Sequence, residues 1–310
     1  MSTITVERPV QQIVWSGVGR SHALGPEMAR GGEGAIHTLG SGLAKIYRPS
    51  VVRDPGRRVE LQEKIAALSR IAPLQRDIRF AVPAVPLFGD SACTQWIGFA
   101  MRRCPGASLH SLGSLVSLER TFPGWNRLNI ARVAAAVVDG VAELQSHGVV
   151  VADINPGNFL AHASGRVSCI DCDSYQVALP NRVWLSRVFT PRYTAPEVLD
   201  QPFARPRSPA ELSFSIGILV FEVLTHGIHP YAVRWGDDPV ENLRGGRTFI
   251  GGARATGGLP FEQFSRYADL DRAVKYLCVR TFVDGHSCPQ ARPTLNDWKW
   301  ALGQHIRSLQ

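Results

Sequence analysis

Two short segments near the middle of the chain combine carboxylates with amides at short spacings. Asp153 and Asn158 stand five residues apart, and Asp171 and Asp173 follow after a pair of strand-like segments. Carboxylate and amide oxygens are the ligands that Mg²⁺ prefers, and Mg²⁺ in turn binds phosphate oxygens. A separate carboxylate could orient a hydroxyl group and accept its proton during phosphoryl transfer. The set could therefore support magnesium-dependent phosphoryl transfer, although aspartate and asparagine are also common in turns.

The elements that must position these residues divide the chain into two parts. The first part, residues 1–104, contains strand-like segments separated by glycine-containing turns. Its predicted elements are a short strand at Val14-Trp15, a β-hairpin over 25–47 whose first strand runs through the glycines at 31–34, a helix over 56–71, and strands over 78–88 and 95–101. The second part, residues 105–310, has predicted helices over 126–146, 214–224, 270–280 and 294–306 and short strands over 158–161 and 166–170. The expected fold class is α+β, with a small β-rich lobe that has one helix and a larger, mainly helical lobe.

The composition predicts a folded soluble protein. Hydrophobic residues make up 45% of the 310 residues and charged residues 19%, which is enough apolar surface for a buried core. The net charge of +8 comes from scattered basic residues without an aromatic-basic motif, so nucleic acid is not an expected partner. The longest apolar run, residues 216–221, is too short to cross a bilayer, so no membrane association is expected.

The cysteines and the N-terminus predict a cytoplasmic location. The six cysteines are irregularly spaced, and the first residues carry no apolar signal sequence. Reduced thiols are therefore expected. Cys169 and Cys172 form a CxxC pair, but without a second pair nearby a zinc or redox site is only a minor alternative.

At the two polar segments the chain resembles the protein kinase family. The family's catalytic loop reads H-R-D-x-x-x-x-N and its metal-binding loop reads D-F-G. Asp153 and Asn158 keep the first spacing, and Asp171 follows Asn158 by thirteen residues. The resemblance implies that Asp153 meets the substrate hydroxyl, with Asn155 beside it in the catalytic loop, and that Asn158 and Asp171 hold Mg²⁺. Asp173 replaces the glycine of D-F-G and could be a further magnesium ligand or a cap for the following turn.

Upstream, residues 29–36 resemble the glycine-rich loop G-x-G-x-x-G-x-V, with Ala29 in place of the first glycine. Glycine matters in such a loop because the backbone can approach phosphates closely without a Cβ in the way. The positions that the resemblance assigns to ATP binding are Gly31, Gly32, Gly34 and Ile36.

Nine residues after Ile36, the segment that contains Lys45 resembles the family's V-A-I-K strand. The resemblance implies that Lys45 contacts the α- and β-phosphates of ATP. Its expected ion-pair partner lies on the following helix, where Glu63 is the first choice and Glu60 the alternate.

The end of the first part is expected to hold the adenine base. An apolar strand runs into a polar turn at Met101, Arg102, Arg103 and Cys104, directly before Pro105. Met101 is expected to line the back of the nucleotide pocket, and backbone groups from Arg102 to Cys104 to bond the adenine edge.

Further resemblances extend the match over most of the chain. Residues 190–197 resemble the end of an activation segment with an intact A-P-E, residues 215–224 the buried helix that follows, and residues 291–294 the arginine loop near the end of the fold. Thr190 stands where serine/threonine kinases place a threonine that steadies the catalytic aspartate. The resemblance also implies a buried pair between Arg292 and Glu197.

The chain departs from the family at several positions. Val151 and Ala152 replace the histidine and arginine of H-R-D, and the usual arginine grips a phosphorylated activation segment. Asn155 replaces a lysine, which removes one positive charge near the γ-phosphate. Leu212 takes the place of the aspartate that normally braces the catalytic loop.

As a set, these departures resemble an atypical group of bacterial serine/threonine kinases. This resemblance is carried by three sequence motifs, D-x-N-P-x-N-F-L, I-D-x-D-S and Y-T-A-P-E. Members of the group are encoded beside von Willebrand A-domain proteins and PP2C-type phosphatases, including in tellurite-resistance clusters, and others carry helix-hairpin-helix tails. The resemblance implies ATP and Mg²⁺ as cofactors, a protein substrate, and those two protein types as possible partners.

Three other functions compete with an active protein kinase. Asn155 and Leu212 favour a pseudokinase, a scaffold that regulates a partner protein with or without bound nucleotide. A small-molecule phosphotransferase of related fold is disfavoured because A-P-E and the arginine loop serve a peptide-positioning lobe. A nucleic-acid binder would rest on the basic charge alone.

Overall fold

The computed structural model describes residues 12–233, 238–256, 258 and 261–310. The chain divides into two compact units, Met1–Arg103 and Cys104–Gln310. The expectation that the first residues carry no signal sequence concerns residues 1–11, which lie outside the described part of the chain.

The first unit is built on one antiparallel sheet in the order β2-β1-β6-β7-β5-β4-β3. Its strands are β1 Ile13–Ser16, β2 Ser21–Ala23, β3 Glu27–Arg30, β4 Gly34–Leu39, β5 Gly42–Tyr47, β6 Pro83–Phe88 and β7 Trp96–Met101. The short strand at Val14-Trp15 and the hairpin turn at Gly40 are confirmed, since β1 contains the first and β4 pairs with β5 around the second. Val14, Leu24, Ala44 and Leu87 form a buried cluster on the sheet.

The prediction of a strand through the glycines at 31–34 is wrong. Gly31, Gly32 and Glu33 form the turn between β3 and β4, closed by a hydrogen bond from Gly31 N to Gly34 O of 2.8 Å. Glycine favours a turn over a strand because it loses more backbone entropy on ordering and has no side chain to pack.

Three helices of the first unit are α1 Pro49–Arg53, α2 Pro55–Ser69 and α3 Ala72–Arg76. The predicted helix over 56–71 is therefore confirmed as α2. It buries Leu61, Ile65 and Leu68, and it begins after Asp54, whose side chain accepts a hydrogen bond from Arg57 N. The predicted strand over 78–88 is too long, because β6 starts at Pro83 and residues 78 and 79 form a turn.

The second unit is mainly helical with two small three-stranded antiparallel sheets. Its helices are α4 Leu115–Thr121, α5 Arg127–Ser146, α6 Pro209–Thr225, α7 Pro239–Arg244, α8 Phe261–Ala268, α9 Arg272–Val279, α10 Gly285–Ser287 and α11 Leu295–Ser308. Its strands are β8 Ala107–Ser108, β9 Val149–Val150, β10 Phe159–Ala161, β11 Val167–Cys169, β12 Gln176–Leu179 and β13 Arg182–Trp184. One sheet has the order β11-β10-β8 and the other β13-β12-β9. The α+β prediction is confirmed.

The buried helix α6 organises the second unit. A capping box at its start joins Ser208 and Glu211, and α6 packs against α5, the helix predicted over 126–146. Most side chains of α6 are buried and apolar, as expected for a helix surrounded by protein. Within the described ranges, no helix combines the length and the apolar character that a membrane crossing needs.

The sequence did not predict the short helices α4 and α7. They have seven and six residues, less than two turns, so each presents too few apolar positions for a helical period to be visible. Both start at polar caps, Ser114 for α4 and Asp238 for α7, and these caps accept backbone hydrogen bonds.

The predicted pair between Arg292 and Glu197 is present and bidentate. Arg292 Nη1 donates to Glu197 Oε1 at 2.6 Å, and Nη2 donates to Oε2 at 2.8 Å. The Arg292 side chain is fully buried, and its Nε donates to Gly285 O at 2.7 Å. The guanidinium also lies over the Phe214 ring of α6 at 4.7 Å. This one side chain therefore joins the residues after Thr190 to the buried helix.

We expect Arg292→Gln to lower the free energy of unfolding by about 3 kcal/mol, because it leaves the Glu197 carboxylate without its buried partner. Urea denaturation of purified variants measures the loss. The matched control is Arg127→Gln, which removes an exposed pair with Asp269 and should cost less than about 1 kcal/mol. Equal losses in both variants would contradict a structural role for the Arg292 pair.

Candidate active site

The Asp153 carboxylate accepts hydrogen bonds from three side chains of the second unit. Thr190 Oγ1 donates to Oδ1 at 2.7 Å, whereas Asn155 Nδ2 and Asn158 Nδ2 lie 3.1 and 3.3 Å from Oδ2. Asn158 Nδ2 also donates to the Asp153 carbonyl at 2.8 Å. The loop that carries Asp153 is thus attached to Thr190, 37 residues further along the chain. The carboxylate is held in one orientation by neutral donors.

Asn155 replaces the expected lysine with a structural amide. Its Oδ1 accepts a hydrogen bond from Gly157 N at 2.9 Å, which caps the short turn Pro156–Asn158, while its Nδ2 donates to Asp153. Ser108 Oγ donates to the Pro156 carbonyl of the same turn at 3.0 Å. The sequence signal for this cap was an asparagine directly before proline, a pair that favours the start of a turn.

Asn158 and Asp171 are brought side by side by strand pairing. β10 pairs with β11 so that Phe159 lies opposite Cys169, and Ile170 N donates to Asn158 O at 3.0 Å. Because the Asn158 amide nitrogen is directed to Asp153, its Oδ1 is the oxygen left for a cation. An amide oxygen and a carboxylate therefore stand at neighbouring positions on adjacent strand ends.

Asp171 has a left-handed backbone conformation, with φ 60° and ψ 44°. Residues other than glycine adopt this region rarely, although aspartate and asparagine tolerate it best. The conformation is held by Ser174, whose backbone N and Oγ donate to the Asp171 carbonyl at 3.0 and 2.7 Å. Tyr175 Oη donates to Ile170 O at 2.9 Å, and burial raises the pKa of this phenol well above its ordinary value. Local backbone strain thus coincides with a predicted metal ligand.

Asp173 lies within the turn Cys172–Ser174, whose N-cap position is Asp171, and the capping role considered for Asp173 stays a prediction. Its side chain is only 2% exposed, whereas Asp171 is half-buried. A magnesium role for Asp173 stays a prediction.

The donor set suits Mg²⁺ held together with phosphate. Within the described part of the chain, no group of three or more His, Cys, Asp or Glu side chains converges on one point. Mg²⁺ commonly uses one or two protein oxygens and completes its shell with water and substrate phosphates. Asn158 and Asp171 fit that pattern better than they fit a metal bound by protein groups alone.

In the first unit, the turn Gly31–Glu33 is fixed by two arginines. Arg48 Nη2 donates to Gly31 O at 2.9 Å, and Arg48 N donates to Glu33 O at 2.8 Å. Arg57 of α2 donates to Glu33 Oε1 at 2.8 Å and to Glu60 Oε2 at 3.3 Å. Glu60, the alternate partner for Lys45, is therefore engaged with Arg57.

The three predicted loop glycines differ in what surrounds them. A Cβ on Gly34 would lie 2.4 Å from Ile46 O, so the close pairing of β4 and β5 excludes any side chain there. Gly32 has open space around it, and a Cβ on Gly31 would meet only Gly34 O at 3.9 Å. Strand packing thus explains Gly34, and Gly31 and Gly32 are left exposed for a ligand. Ile36 lies opposite Lys45 in the same pair of strands.

Lys45 is buried on β5, where it also lies opposite Phe99 of β7. Its Nζ is 5.9 Å from the centre of the Tyr47 ring. Glu63 is half-buried on α2, which packs against β6 of the same sheet. Both predicted partners lie in the first unit, and their ion pair stays a prediction.

The segment expected to bind adenine starts at Met101, the last residue of β7, which is 9% exposed. The Arg102 guanidinium donates to Asp77 O at 2.7 Å and Gln75 O at 2.9 Å, so its side chain secures the end of α3. Cys104 is the first residue of the second unit and is buried. Contacts of this backbone with adenine stay a prediction.

The sequence reasoning missed a cluster beside Thr190. Arg192 Nη2 donates to Glu222 Oε1 at 2.6 Å, and Tyr193 Oη donates to Glu222 Oε2. Glu222 lies on α6, which was predicted as an apolar helix. The charge of Glu222 within that apolar run was the available signal, because a buried carboxylate needs a partner.

Comparison with known proteins gives consistent results. The sequence profile described as protein kinase domain matches residues 88–249. Protein kinase YegI of Escherichia coli K12 is 29% identical over 229 residues, which cover 71% of this chain and 34% of YegI. Serine/threonine-protein kinase PAK 4 of Mus musculus is 33% identical over 203 residues, covering 62% of this chain and 32% of the relative. Serine/threonine-protein kinase 17A of Oryctolagus cuniculus is 30% identical over 122 residues, 38% of this chain and 29% of the relative.

The chain spans about a third of the length of YegI. The domain profile covers slightly more than half of the chain, from the end of β6 to the residues after α7, and so includes Asp153, Asn158 and Asp171. By this match, the chain belongs to the protein kinase family.

Proposed function

We propose that the chain is an active serine/threonine protein kinase that transfers the γ-phosphoryl group of Mg-ATP to a serine or threonine hydroxyl. The observation that carries this proposal is the Asp153 carboxylate, which Thr190, Asn155 and Asn158 hold in one orientation. Phosphoryl transfer depends on positioning and charge neutralisation more than on covalent help from the protein. Such a reaction uses a fixed carboxylate together with oxygen ligands for a metal ion, the role proposed here for Asn158 and Asp171.

The hydrogen bonds to Asp153 leave room for a substrate. A carboxylate has about four lone-pair positions, and the three side chains occupy one on Oδ1 and two on Oδ2. The remaining position on Oδ1 can accept a hydrogen bond from an incoming hydroxyl and, as the phosphoryl group is transferred, its proton. The chain thus supplies an orienting group and a proton acceptor in one carboxylate.

The phosphates and the metal would be held by other residues. Asn158 Oδ1 and the Asp171 carboxylate would bind Mg²⁺, which would neutralise phosphate charge when bound. Lys45 would contact the α- and β-phosphates, with Glu63 as its ion-pair partner, and the turn at Gly31 would present backbone N–H groups. Asn155 adds no positive charge, so the metal and Lys45 would have to neutralise the charge of the phosphates.

The choice of serine or threonine is supported by two kinds of observation. Two of the relatives are named serine/threonine-protein kinases. In addition, Thr190 occupies the position at which the resemblance places the threonine of such kinases, and its hydroxyl reaches Asp153. The association with a von Willebrand A-domain protein and a PP2C-type phosphatase, implied by the resemblance alone, belongs to this proposal too.

A nucleotide-binding pseudokinase scaffold is the second candidate. It is favoured by Asn155, which leaves the loop without a cation near the transferred group, and by Leu212, which is buried and apolar where an aspartate would brace the loop. The Asn158 and Thr190 hydrogen bonds supply a different brace for Asp153, and for this reason we place the active kinase first.

Asp153→Asn separates the two candidates. The substitution keeps the size of the side chain but removes the proton acceptor, so phosphoryl transfer should fall by roughly 10²–10⁴-fold. Affinity for Mg-ATP should stay within a few-fold, because Asp153 acts on the hydroxyl. Calorimetry with ATP and transfer of labelled phosphate to a generic protein substrate measure the two effects. Wild-type protein that binds Mg-ATP without transferring phosphate to any protein would favour the scaffold.

Lys45→Met should abolish most transfer while the melting temperature without nucleotide stays near that of wild type. Methionine fills the volume of the lysine stem on β5 and removes the charge placed for phosphate. Thermal melts with and without Mg-ATP, together with the transfer assay, provide the measurement. A variant that is unfolded, or one that keeps full activity, would show that Lys45 has another role.

Asp171→Asn should abolish the magnesium-dependent stabilisation by ATP, whereas Asp173→Asn should weaken it only in part. Asparagine also tolerates the left-handed backbone at Asp171, so the substitution tests the charge and not the turn. Melting temperatures with ATP, at increasing Mg²⁺, compare the two variants. The opposite ranking would transfer the metal role to Asp173.

A further inference from the structure

The second unit contains a cavity of about 420 Å³ next to Asp153. Asn155 and Thr190 line this cavity, and both donate hydrogen bonds to the Asp153 carboxylate. A group that fills the cavity can therefore contact Asn155 and Thr190, the side chains that donate to the carboxylate that would meet the acceptor hydroxyl. The cavity is open to solvent and partly apolar, with Leu109 and Leu219 among its walls.

The carboxylate that lines this cavity is already engaged. Glu222 is 6% exposed, and its two oxygens accept hydrogen bonds from Arg192 Nη2, at 2.6 Å, and Tyr193 Oη. Burial raises the pKa of Glu222 even though Arg192 and Tyr193 oppose the shift. Both oxygens of Glu222 are thus engaged, so this carboxylate offers a ligand little further capacity to accept hydrogen bonds.

Arg192 is the charged group that a ligand can reach. Its side chain is 42% exposed and lies over the Tyr193 ring at 5.5 Å. The backbone is fixed as well, because His229 Nε2 lies 2.7 Å from Arg192 O. Burial lowers the pKa of His229 to about 3, so the ring is neutral and donates this hydrogen bond. The cation is thus held at the cavity wall from both its backbone and its side chain.

The other titratable group at the wall, His110, is exposed and carries no negative charge. Among the described residues that line the cavity, Glu222 is the one carboxylate. A lysine or arginine from a substrate would have to displace Arg192 from Glu222 and would face its positive charge. A carboxylate would meet Nη1 of the guanidinium, because Nη2 donates to Glu222 and Nε is buried.

We propose that this cavity is a substrate-specificity pocket and that Arg192 selects protein substrates with a glutamate or aspartate close to the phosphorylated residue. The proposal rests on the proposed kinase function and names its substrate class. Attraction of the acidic side chain and repulsion of a basic one both contribute to such selection.

The test compares peptides that share one serine acceptor and differ in having Glu, Gln or Lys at each neighbouring position in turn. Wild-type protein should phosphorylate the best Glu peptide with a kcat/KM roughly fivefold above that of its Gln counterpart, the scale of a partly exposed ion pair, and the Lys peptide should be poorest. Arg192→Gln should reverse the order, because it exposes the Glu222 carboxylate to a lysine. Arg192→Lys should keep part of the preference for Glu.

Further variants separate selection from folding. Glu222→Gln removes the competing carboxylate and should keep or increase the preference for Glu. The double variant Arg192→Gln with Glu222→Gln leaves no buried unpaired charge and should show no charge preference. Arg244→Gln is the matched control, since Arg244 lies in an exposed pair with Asp200 and does not line the cavity. Thermal melts identify any variant that does not fold, and the double variant then replaces Arg192→Gln.

Binding of the same peptides with alanine in place of serine, measured by fluorescence anisotropy, tests the pocket without catalysis. Preferential binding of Glu peptides by a protein that transfers no phosphate would contradict the proposed kinase function and still support the specificity pocket. Transfer without a charge preference would overturn the pocket and leave the function in place. A preference for Lys that disappears in Glu222→Gln would also overturn the pocket, because Glu222 would then be the selecting group.

Discussion

Hydrogen bonds to three carboxylates hold the segment from Thr190 to Glu197 in the second unit, and the geometry of the candidate site depends on them. Thr190 donates to Asp153, Arg192 and Tyr193 donate to Glu222, and Glu197 accepts from Arg292. The contacts follow one another within eight residues and lead to the catalytic loop, the buried helix α6 and the loop before α11. Because each uses groups of the chain itself, the segment is in place without an added phosphate. That independence agrees with Ala152, because the family uses an arginine at this position to bind the phosphate of a phosphorylated activation segment.

The sequence was sufficient where chemistry or periodicity restricts the residue spacing. Asp153, Asn158 and Asp171 could be found because the two loops that carry them are separated by a hairpin of fixed length. The long helix α5 was visible because its turns repeat one apolar face, and α6 because its segment is apolar on all sides. The Arg292–Glu197 pair followed from the family resemblance. The fold class followed from the different content of the two parts of the chain.

Features that depend on side chains meeting across the fold could not be found in this way. Arg192 and Glu222 are 30 residues apart and Arg57 and Glu33 are 24 apart, and nothing in either spacing indicates a contact. The left-handed backbone of Asp171 is also invisible in the sequence, since aspartate occupies many kinds of turn. The same limit explains the error over the glycines at 31–34, where the register of β3 against β4 decides which residues turn.

The salt bridge from Arg57 to Glu33 has a mechanical consequence for the first unit. It joins the tip of the glycine turn to α2, and Arg57 is largely buried, with 13% of its side chain exposed. A displacement of α2 must therefore either break this ion pair or pull the turn along with it. A molecule that binds the start of α2 and displaces Arg57 would therefore also change what holds the Glu33 side chain of the turn.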